Sequence, residues 1–488
     1  MYYLNPQVRH IHFVGIGGAG MSGLAEVLYH QNYTISGSDQ VINGPVQGLV
    51  QKGIPITEGH VSQHTAQADL LIRSTAISDD NPELILAQQK GIKIVSRGQL
   101  LAELMHRKYG IAVAGTHGKT TTTGLIASLC LQQSLDPTIL IGGYLNCIAS
   151  HARLGRGRYL IAEADESDAS LLYLKPAIAI VTNIDRDHME AYEGDFQQLI
   201  QTFTQFLQVP PPIDRDHLQN PALGFEASLL WAIVCQDDPI LAQLIPQIDR
   251  PVMSYGFSPS AAVRAVACRP MGMRTAFTVL RTAAISRPPL DIQLNLPGQH
   301  NVLNALAAIT VGTLLNIPDH LIQTALSAYT GVGRRFQLIG TINVAGDQIP
   351  VIDDYGHHPR EITATLQAIR QAWPTRRLVM VFQPHRYTRT QDLLADFAQA
   401  LAAVDYLCLL TVYAASELPL MGVDSQRLAQ AVHQSGTLKP AVIETETCLR
   451  QHLQETLQAN DILLFQGAGD ISEMAHAFVN ATKRYGKS

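Results

Sequence analysis

The sequence predicts an α/β protein of three domains, each a mostly parallel sheet with flanking helices. Three observations support this prediction. Strand-like apolar runs alternate with helix-length segments along the whole chain, which is the pattern of parallel sheets. Two of the strands run into glycine-bearing turns that open a helix, near residues 15 and 115. The chain has 488 residues, more than one hydrophobic core can hold, so two or three domains are expected.

The first predicted domain covers residues 1–107 and is Rossmann-like. Its elements follow from apolar runs of strand length and from longer segments that end in turn residues. We expect strands at His10–Gly15, Tyr33–Ser36, Asp69–Arg73 and Ile92–Val95, and helices at Gly20–Gln31 and Gly98–Arg107.

The central predicted domain covers residues 108–330 and is of the P-loop ATPase type. Three apolar runs predict parallel strands, at Ile111–Ala114, Tyr159–Ala164 and Ala177–Thr182. Short β-like runs between residues 250 and 297 predict a small antiparallel addition, and a helix follows at Asn301–Ile317. The runs in that addition are Val252–Gly256, Thr275–Leu280 and Leu290–Leu294.

The third predicted domain covers residues 331–488 and is Rossmann-like. A glycine turn at Gly331–Gly333 is expected to act as the hinge before it. Its strands are expected at Ile349–Ile352, Leu378–Phe382, Tyr406–Thr411 and Ile462–Phe465. The stretch Val209–Pro221 of the central domain, rich in proline and charge, is expected to be a loop.

Composition restricts the class of protein. The net charge of −6 and the lack of a basic tract argue against a nucleic-acid partner. The six cysteines show no paired spacing, which is typical of a reducing compartment. The N-terminus lacks a secretory pattern, and the longest apolar helix, about Val302–Ile317, is too short to span a bilayer. We therefore expect a cytoplasmic enzyme without membrane insertion.

The second glycine turn has the features of a phosphate site. The strand Ile111–Ala114 leads into Gly115-Thr-His-Gly118, and a helix then opens with Lys119 and Thr120. Backbone N–H groups at such a helix N-terminus bind phosphates, while the lysine reaches the β- and γ-phosphates and the hydroxyl ligates Mg²⁺. The spacing is short, because Val113 stands where the standard pattern has glycine. The turn alone predicts nucleotide phosphate binding, which a motion-driving ATPase would share.

The first glycine turn fits a pyrophosphate. Gly15, Gly17 and Gly20 form the pattern G-x-G-x-x-G between a strand and a helix, and Asp39 closes the next strand. A nicotinamide dinucleotide and a UDP-sugar both carry a pyrophosphate, so the motif does not choose between them. A close packing turn without a ligand is the plainer alternative.

Carboxylates follow the Tyr159–Ala164 strand. Glu163, Asp165, Glu166 and Asp168 lie at a carboxyl end, where open α/β sheets bind ligands, and they suit a hard cation such as Mg²⁺. Solvated acidic residues are the alternative. After the next strand, Asp187 and His188 suit a second cation or a substrate contact.

Polar groups at the hinge and in the third domain extend the pattern. Asn301 and Asn304 lie one helical turn apart and suit a base such as adenine, although capping explains Asn301 as well. Arg334 and Arg335 suit a phosphate clamp or a solvated basic turn. Guanidinium groups that follow the Leu378–Phe382 strand bind carboxylates, which indicates an amino-acid substrate.

These parts favour phosphoryl transfer. We find no nucleophile elbow, no defensible Cys/His pairing and no zinc spacing. A phosphate loop, cation-binding carboxylates and paired arginines fit a reaction in which positioning and charge neutralisation provide the catalysis. A carboxylate acceptor would give an acyl phosphate, and an amine would then attack it to form an amide.

Nine motifs, in order along nearly the whole chain, resemble the Mur ligase family. They are GIGGAGMSGLAEVL, SGSD, GTHGKTTTT, EADESD, TNIDRDHM, PGQHNVLNALAA, GVGRRF, DDYGHHP and FQPHRYTRT. The last two favour the member that adds L-alanine to UDP-N-acetylmuramate in peptidoglycan precursor synthesis. The resemblance implies an ATP-dependent ligase with two Mg²⁺ ions, which Mn²⁺ can replace, acting as a monomer or a homodimer.

The resemblance also implies roles for individual residues. Lys119, His188 and Arg335 are the implied catalytic residues. Those implied to bind the UDP-sugar are Gly17, Gly18, Ala19, Gly20, Asp39, His60 and Ser74. Those implied around ATP are Gly115, Thr116, His117, Gly118, Lys119, Thr120, Thr121, His300, Asn301, Asn304, Arg335 and Asp354. The implied metal ligands are Thr120, Glu163 and His188, with Glu166 a less certain candidate. Those implied to receive L-alanine are Tyr355, His385, Arg386 and Arg389.

Related ligases that add later residues use a carbamylated lysine near the metals, whereas this chain has no lysine between Lys175 and Lys439.

The chain departs from the family pattern in two places, and two other functions stay open. Pro210–Leu230 is longer than the family's usual segment, and the Asp185-Arg-Asp187 variant leaves the second-metal shell open. A ligase that adds a preformed tripeptide to the same nucleotide is one alternative. A nicotinamide-dependent oxidoreductase is the other.

Overall fold

Three mostly parallel sheets with flanking helices confirm the predicted fold class. The structure is a computed structural model that describes residues 3–65, 67–208, 230–285, 287–415 and 417–485. The predicted loop Val209–Pro221 falls outside the described residues, as does all of Pro210–Leu230 except Leu230. Among the residues described, no helix combines the length and the apolar character that a membrane span requires.

The chain divides into two compact units. Unit 1 comprises Met1–Arg269, Ala276–Asn295 and Asn301–Thr330, and unit 2 comprises Pro270–Thr275, Leu296–His300 and Gly331–Ser488. The first predicted domain therefore lies in unit 1, and so does the second except for Pro270–Thr275 and Leu296–His300. Their limits after residues 107 and 330 stay predictions.

The strand order of the first sheet matches five strands of the Rossmann order. Its strands are β1 (His10–Val14), β2 (Thr34–Asp39), β3 (Ile56–Glu58), β4 (Leu70–Arg73) and β5 (Lys93–Ser96). The order is β3-β2-β1-β4-β5, and every pair is parallel. The order reverses between β1 and β4, where sheets of this kind bind ligands at the carboxyl ends of the strands.

The second sheet surrounds the strand that precedes the phosphate loop. Its strands are β6 (Tyr109–Ala114), β7 (Thr138–Leu145), β8 (Ser150–Arg153), β9 (Tyr159–Glu163), β10 (Ile178–Val181), β11 (Trp231–Cys235), β12 (Val252–Gly256), β13 (Val263–Met271), β14 (Arg274–Arg281) and β15 (Leu290–Leu294). The order is β15-β14-β13-β12-β11-β10-β6-β9-β7-β8. All six residues of β6 are buried, and β6 runs parallel to both β10 and β9. The carboxyl ends of these three strands therefore meet at one edge.

The third sheet lies in unit 2 and separates two apolar layers. Its strands are β16 (Gln337–Val344), β17 (Asp347–Asp354), β18 (Arg377–Phe382), β19 (Tyr406–Leu410), β20 (Ala441–Ile443) and β21 (Asp461–Gln466). The order is β16-β17-β21-β18-β19-β20, with only β16 and β17 antiparallel among these neighbours. Leu378, Met380 and Phe382 join one cluster, while Val379 and Val381 join the other. This alternation follows from the two-residue period of a strand.

The helices follow the alternation that the sequence predicts. The described α-helices are Ala19–His30, Gly44–Gln51, Pro82–Gln89, Arg97–His106, Lys119–Gln132, Phe196–Gln208, Pro239–Leu244, Gln299–Leu314, Asp319–Ser327, Pro359–Ala372, Tyr387–Asp392, Leu394–Leu401, Ser425–Ser435, Glu446–Thr456 and Ile471–Tyr485.

Part of the predicted antiparallel addition is wrong. β12, expected to belong to it, pairs in parallel with both β11 and β13, so the parallel part of the sheet extends further than predicted. β13 and β14 are joined by two residues, a connection that antiparallel strands allow and parallel strands do not. The strands that were not predicted from the sequence are β3, β7, β8, β11, β13, β16 and β20.

Candidate active site

The phosphate loop is a four-residue turn between β6 and the helix Lys119–Gln132. Gly115 and Gly118 have φ angles of +124° and +81°, which favour glycine. A Cβ on Gly115 would lie 2.1 Å from Thr182 Oγ1. Val113, where the standard pattern has glycine, is a buried residue of β6. The loop is therefore short because the strand continues through the position at which a longer loop would begin.

The segment after β10 fastens this loop. Asn183 accepts from His117 N through Oδ1 and donates to His117 O through Nδ2, both at 2.9 Å. Thr182 Oγ1 donates to the same carbonyl at 2.6 Å. The His117 ring lies 3.2 Å from Asp185 Oδ2. Thr182, Asn183 and Asp185 belong to the same motif as Asp187 and His188, which were expected to suit a second cation or a substrate contact. The first three side chains contact the phosphate loop.

Lys119 folds back over the loop and pairs with a buried carboxylate. Its Nζ donates to Gly115 O at 2.6 Å, to Thr116 O at 3.0 Å and to Glu166 Oε1 at 2.7 Å. Burial opposes the charge of Lys119, but the carboxylates of Glu166 and its neighbours outweigh this effect and raise its pKa. Burial raises the pKa of Glu166, whose side chain is 1% exposed. The ammonium is thus held where a phosphate on the loop would meet it.

Thr120 and Glu163 form a pair of hard oxygen donors. Thr120 Oγ1 donates to Glu163 Oε1 at 3.0 Å, and Gly142 N donates to Glu163 Oε2 at 2.9 Å. The structure therefore brings together two of the three implied metal ligands. The third, His188, has a φ of +54° and lies after β10, with Nε2 3.6 Å from Asp187 Oδ2.

The first glycine loop gathers the residues implied to bind the UDP-sugar. Asp39 Oδ2 accepts from Gly17 N at 2.6 Å, so this carboxylate orders the loop itself. Ser74 lies beside the loop, because a Cβ on Gly15 would be 3.0 Å from its Cβ. Gly18, by contrast, faces open space. The open side of the turn is the side that a ligand can approach.

His60 belongs to a buried polar cluster centred on Glu83. Glu83 Oε2 accepts from Ser38 Oγ at 2.6 Å and lies 3.1 Å from His60 Nδ1. His64 Nδ1 lies 3.1 Å from Glu83 Oε1, and His12 Nε2 lies 3.6 Å from the same oxygen. Burial opposes ionisation of Glu83, but His12 and the hydrogen bonds outweigh it and lower its pKa to about 2. Glu83, which no sequence motif indicated, anchors His60 beside β2.

Asn301 and Asn304 pack against the phosphate loop of unit 1. Asn304 Oδ1 accepts from Thr122 Oγ1 at 3.2 Å, and Asn304 Nδ2 donates to Asn301 Oδ1 at 3.2 Å. Both asparagines are buried, and a Cβ on Gly118 would lie 2.5 Å from Asn304 Oδ1. Their predicted contact with the base stays a prediction. In unit 2, burial lowers the pKa of His300 to about 4, against the opposing charge of Glu361.

The two hinge arginines have different surroundings in unit 2. Arg334 Nη2 donates to Gly467 O at 2.7 Å and to Gly469 O at 3.0 Å, a structural role. Arg335 is 29% exposed, and its Nη1 lies 3.9 Å from Glu361 Oε1. Asp354 is buried and accepts from Phe336 N at 2.8 Å. Of the two guanidinium groups, that of Arg335 is the one more available to a phosphate.

The residues implied to receive the amino acid lie along a row of rings. His357 contacts Tyr355 and His385, with ring centroids 5.4 and 5.7 Å apart. His385 also stacks on Tyr413 at 5.6 Å, with an interplanar angle of 11°. Arg389 Nη1 lies 3.3 Å from His385 Nδ1. Tyr355, His385 and Arg389 are thus brought together.

Arg386 is held by a residue that the sequence analysis missed. Its Nη1 lies 3.8 Å from Glu417 Oε1, and Glu417 Oε2 accepts from Tyr387 N at 2.6 Å. Arg386 N donates to Tyr413 O at 2.8 Å. Tyr413 and Glu417 both follow the strand β19, and a carboxyl-end position of this kind is the sequence feature that could have indicated them.

Three family models match successive parts of the chain. They are the Mur ligase family catalytic domain at residues 10–109, the Mur ligase middle domain at residues 113–312, and the Mur ligase glutamate ligase domain at residues 334–469. Together they cover both glycine loops and the whole row of rings.

Several solved structures are similar over nearly their full lengths. The UDP-N-acetylmuramate-alanine ligase MurC of Thermotoga maritima is 26% identical with a TM-score of 0.80, covering 98% of this chain and 99% of that chain. A murein peptide ligase of Psychrobacter arcticus is 24% identical with a TM-score of 0.69, covering 97% and 98%. MurF of Acinetobacter baumannii is 17% identical with a TM-score of 0.61, covering 86% of this chain and 93% of that chain. The likeness to the murein peptide ligase and to MurF shows a shared fold.

Proposed function

The chain belongs to the Mur ligase family, and on that premise we propose that it joins L-alanine to the lactyl carboxylate of UDP-N-acetylmuramate. One observation carries the proposal. At the carboxyl ends of β6, β9 and β10, the phosphate loop, the Lys119 ammonium and the Thr120–Glu163 pair come together. The similarity to an alanine ligase over 98% of the chain supports the choice of amino acid.

The proposed reaction has two steps. An oxygen of the lactyl carboxylate attacks the γ-phosphorus of ATP, and the bond from that phosphorus to the bridging oxygen of ADP breaks. The nitrogen of alanine then attacks the acyl carbon, phosphate leaves with the electron pair of the acyl–oxygen bond, and the nitrogen loses a proton. Lys119 neutralises charge on the phosphoryl oxygens in the first step, from the position in which it contacts Gly115 O and Thr116 O.

The donor set at the end of β9 fits magnesium. A hydroxyl and a carboxylate, both oxygen donors, lie 3.0 Å apart in Thr120 and Glu163. When bound there, Mg²⁺ would neutralise phosphate charge and orient the γ-phosphoryl group. A second ion at His188 stays part of the proposal.

Unit 2 supplies the groups for the amino acid. Arg386 and Arg389 offer guanidinium groups to the alanine carboxylate, and the ring of His385 lies against Arg389. We also propose a cytoplasmic location, because ATP is supplied there and all six cysteines are free thiols.

The test is phosphate release from ATP by the full chain, with UDP-N-acetylmuramate and either L-alanine, glycine, L-serine or the tripeptide as acceptor. We expect release that requires both the sugar nucleotide and L-alanine, with amide formation checked by mass. Release with the tripeptide alone would replace the proposal by the tripeptide ligase. Protection against thermal unfolding by NAD(P)H, without protection by UDP-sugar or ATP-Mg, would indicate an oxidoreductase.

A further inference from the structure

Arg97 connects the two glycine loops inside unit 1. It is the first residue of the helix Arg97–His106, whose N-terminus is fixed by a capping box of Ser96 and Gln99. Its Nη2 donates to Asp165 Oδ2 at 2.9 Å and to Asp168 Oδ2 at 3.4 Å, in the segment after β9. The side chain is only 17% exposed. Two carboxylates therefore hold one guanidinium in a fixed direction.

The other side of the same guanidinium faces the first glycine loop. A Cβ on Gly20 would lie 3.0 Å from Arg97 Nη1 and 3.2 Å from its Cδ. Gly20 is the second residue of the helix Ala19–His30, so Nη1 lies against a helix N-terminus. The positive end of a helix dipole disfavours a cation at this place. Asp165 and Asp168 offset that charge from the other side of the guanidinium, and an anion bound between the helix N-terminus and Nη1 would receive donors from both.

Asp165 extends this connection to the phosphate loop. Its carboxylate pairs with Arg97 at 2.9 Å, and the next residue of the chain, Glu166, pairs with Lys119 at 2.7 Å. The row of alternating charges runs from the sugar-nucleotide loop to the ATP loop.

We propose that Arg97 is a positioning residue that binds an anionic group of the sugar nucleotide at the first glycine loop and fixes its place relative to Lys119. The proposal rests on the proposed function, which supplies the substrate. Two anions of that substrate share this chemistry, the pyrophosphate and the lactyl carboxylate. The side of the loop that Nη1 faces is the helix N-terminus, the usual site of a pyrophosphate in such folds.

The variants are Arg97→Met, Arg97→Lys and, as a matched control, Arg107→Met. Arg107 follows the same helix at its other end and pairs with Glu103 at 2.7 Å, so the control also removes one guanidinium and one ion pair. For each variant we would measure KM for UDP-N-acetylmuramate and for ATP, kcat, and the thermal midpoint. Calorimetric binding of UDP-N-acetylmuramate and of UDP-N-acetylglucosamine, which lacks the lactyl group, separates the two anions.

We expect Arg97→Met to raise KM and Kd for UDP-N-acetylmuramate by about 10- to 100-fold, as loss of a charged hydrogen bond does. The KM for ATP should change by less than about threefold, and Arg97→Lys should recover part of the affinity because it keeps the charge without the planar fork. Equal weakening of both UDP-sugars identifies the pyrophosphate. Weakening of UDP-N-acetylmuramate alone identifies the carboxylate. Arg107→Met should leave all the affinities unchanged.

Unchanged binding of both UDP-sugars in the two Arg97 variants would overturn the proposal and leave Arg97 a structural link. So would equal increases in KM for UDP-sugar and ATP together with a lower thermal midpoint. If Arg97→Met does not fold, Arg97→Lys and Asp168→Asn decide, because the first keeps a positive charge at position 97 and the second keeps the guanidinium and its pairing with Asp165. Binding needs no turnover, so it tests Arg97 even if the wild-type enzyme releases no phosphate, which would refute the proposed function alone.

Discussion

Replacing Lys119 by methionine should abolish turnover and also destabilise unit 1. Lys119 Nζ lies 2.7 Å from Glu166 Oε1, and the other oxygen of Glu166 is buried without a hydrogen-bond partner among the described residues. The substitution therefore leaves a carboxylate that is 1% exposed without its cation. Removing one partner of a buried ion pair lowers the free energy of unfolding by about 3–5 kcal/mol. The sugar-nucleotide site does not contain Lys119, so UDP-sugar binding should persist.

The size of this loss should depend on pH. Burial already raises the pKa of Glu166 above its ordinary value of 4.5, and removing Lys119 raises it further. A carboxyl whose pKa is higher in the folded than in the unfolded protein costs no stability below the unfolded-state pKa, where it is protonated in both states. Between the two pKa values the free energy of unfolding falls by about 1.4 kcal/mol per pH unit as pH rises. Lys119→Met should therefore be less stable at pH 8.5 than at pH 6.

A second variant separates stability from catalysis. Lys119→Met with Glu166→Gln removes both charges of the pair, and we expect it to regain most of the lost stability and its pH dependence. It should remain inactive, because no cation reaches the phosphates. Urea unfolding followed by circular dichroism gives the free energies at each pH. Phosphate release and calorimetric UDP-sugar binding give the two functions.

Three results would refute this reasoning. A Lys119→Met protein as stable as the wild type at pH 8.5 would show that the buried pair contributes nothing. Recovery of turnover in the double variant would show that the lysine is not needed at the phosphates. Loss of UDP-sugar binding in the folded double variant would mean that the two nucleotide sites are misassigned.

Three further predictions concern the same unit. Thr120→Val removes a donor to Glu163 and should raise the Mg²⁺ concentration for half-maximal phosphate release by about tenfold, with a wild-type thermal midpoint. Gly118→Ala forces a side chain at a φ of +81° and should cost about 1–3 kcal/mol in urea unfolding. Gly44→Ala, with nothing within 4 Å of its new Cβ, is the control and should cost much less. Glu83→Gln should remove about 3 kcal/mol of stability above pH 4.5, because the pKa of Glu83 is lowered to about 2. This difference from the wild type should shrink as pH falls from 4.5 towards 2, and a difference that does not depend on pH would contradict it.

The buried parallel strands could be predicted because their sequences are continuous apolar runs. β6, β10 and β18 are almost entirely buried, and no polar period interrupts them. β7 contains two glycines, and its residues Gly142 and Tyr144 are exposed. β16 has a mixed burial pattern and a register shift between Leu338 and Gly340. Strands of this kind lack a clear apolar run, so sequence patterning does not distinguish them from loops.

The candidate site was predictable where function follows directly from a strand end. Lys119, Thr120 and Glu163 come immediately after β6 or at the end of β9, and the structure brings them together. Arg97 and Glu83 were missed because their partners are distant in sequence, as Asp165 is from Arg97. Neither residue belongs to a recognisable motif, so only the folded chain reveals its contacts.

The charges around the phosphate loop impose a condition on nucleotide binding. The ammonium of Lys119 is already paired with Glu166, and the hydroxyl of Thr120 is bonded to Glu163. A phosphate that pairs with the ammonium of Lys119 competes with the buried carboxylate of Glu166. A proton or another cation must then neutralise Glu166, because an unpaired buried charge is costly. The loop backbone needs no such exchange, because Thr182 and Asn183 fix it by hydrogen bonds to His117. The geometry of the site is therefore set by folding, whereas its charge balance is completed only by the ligands.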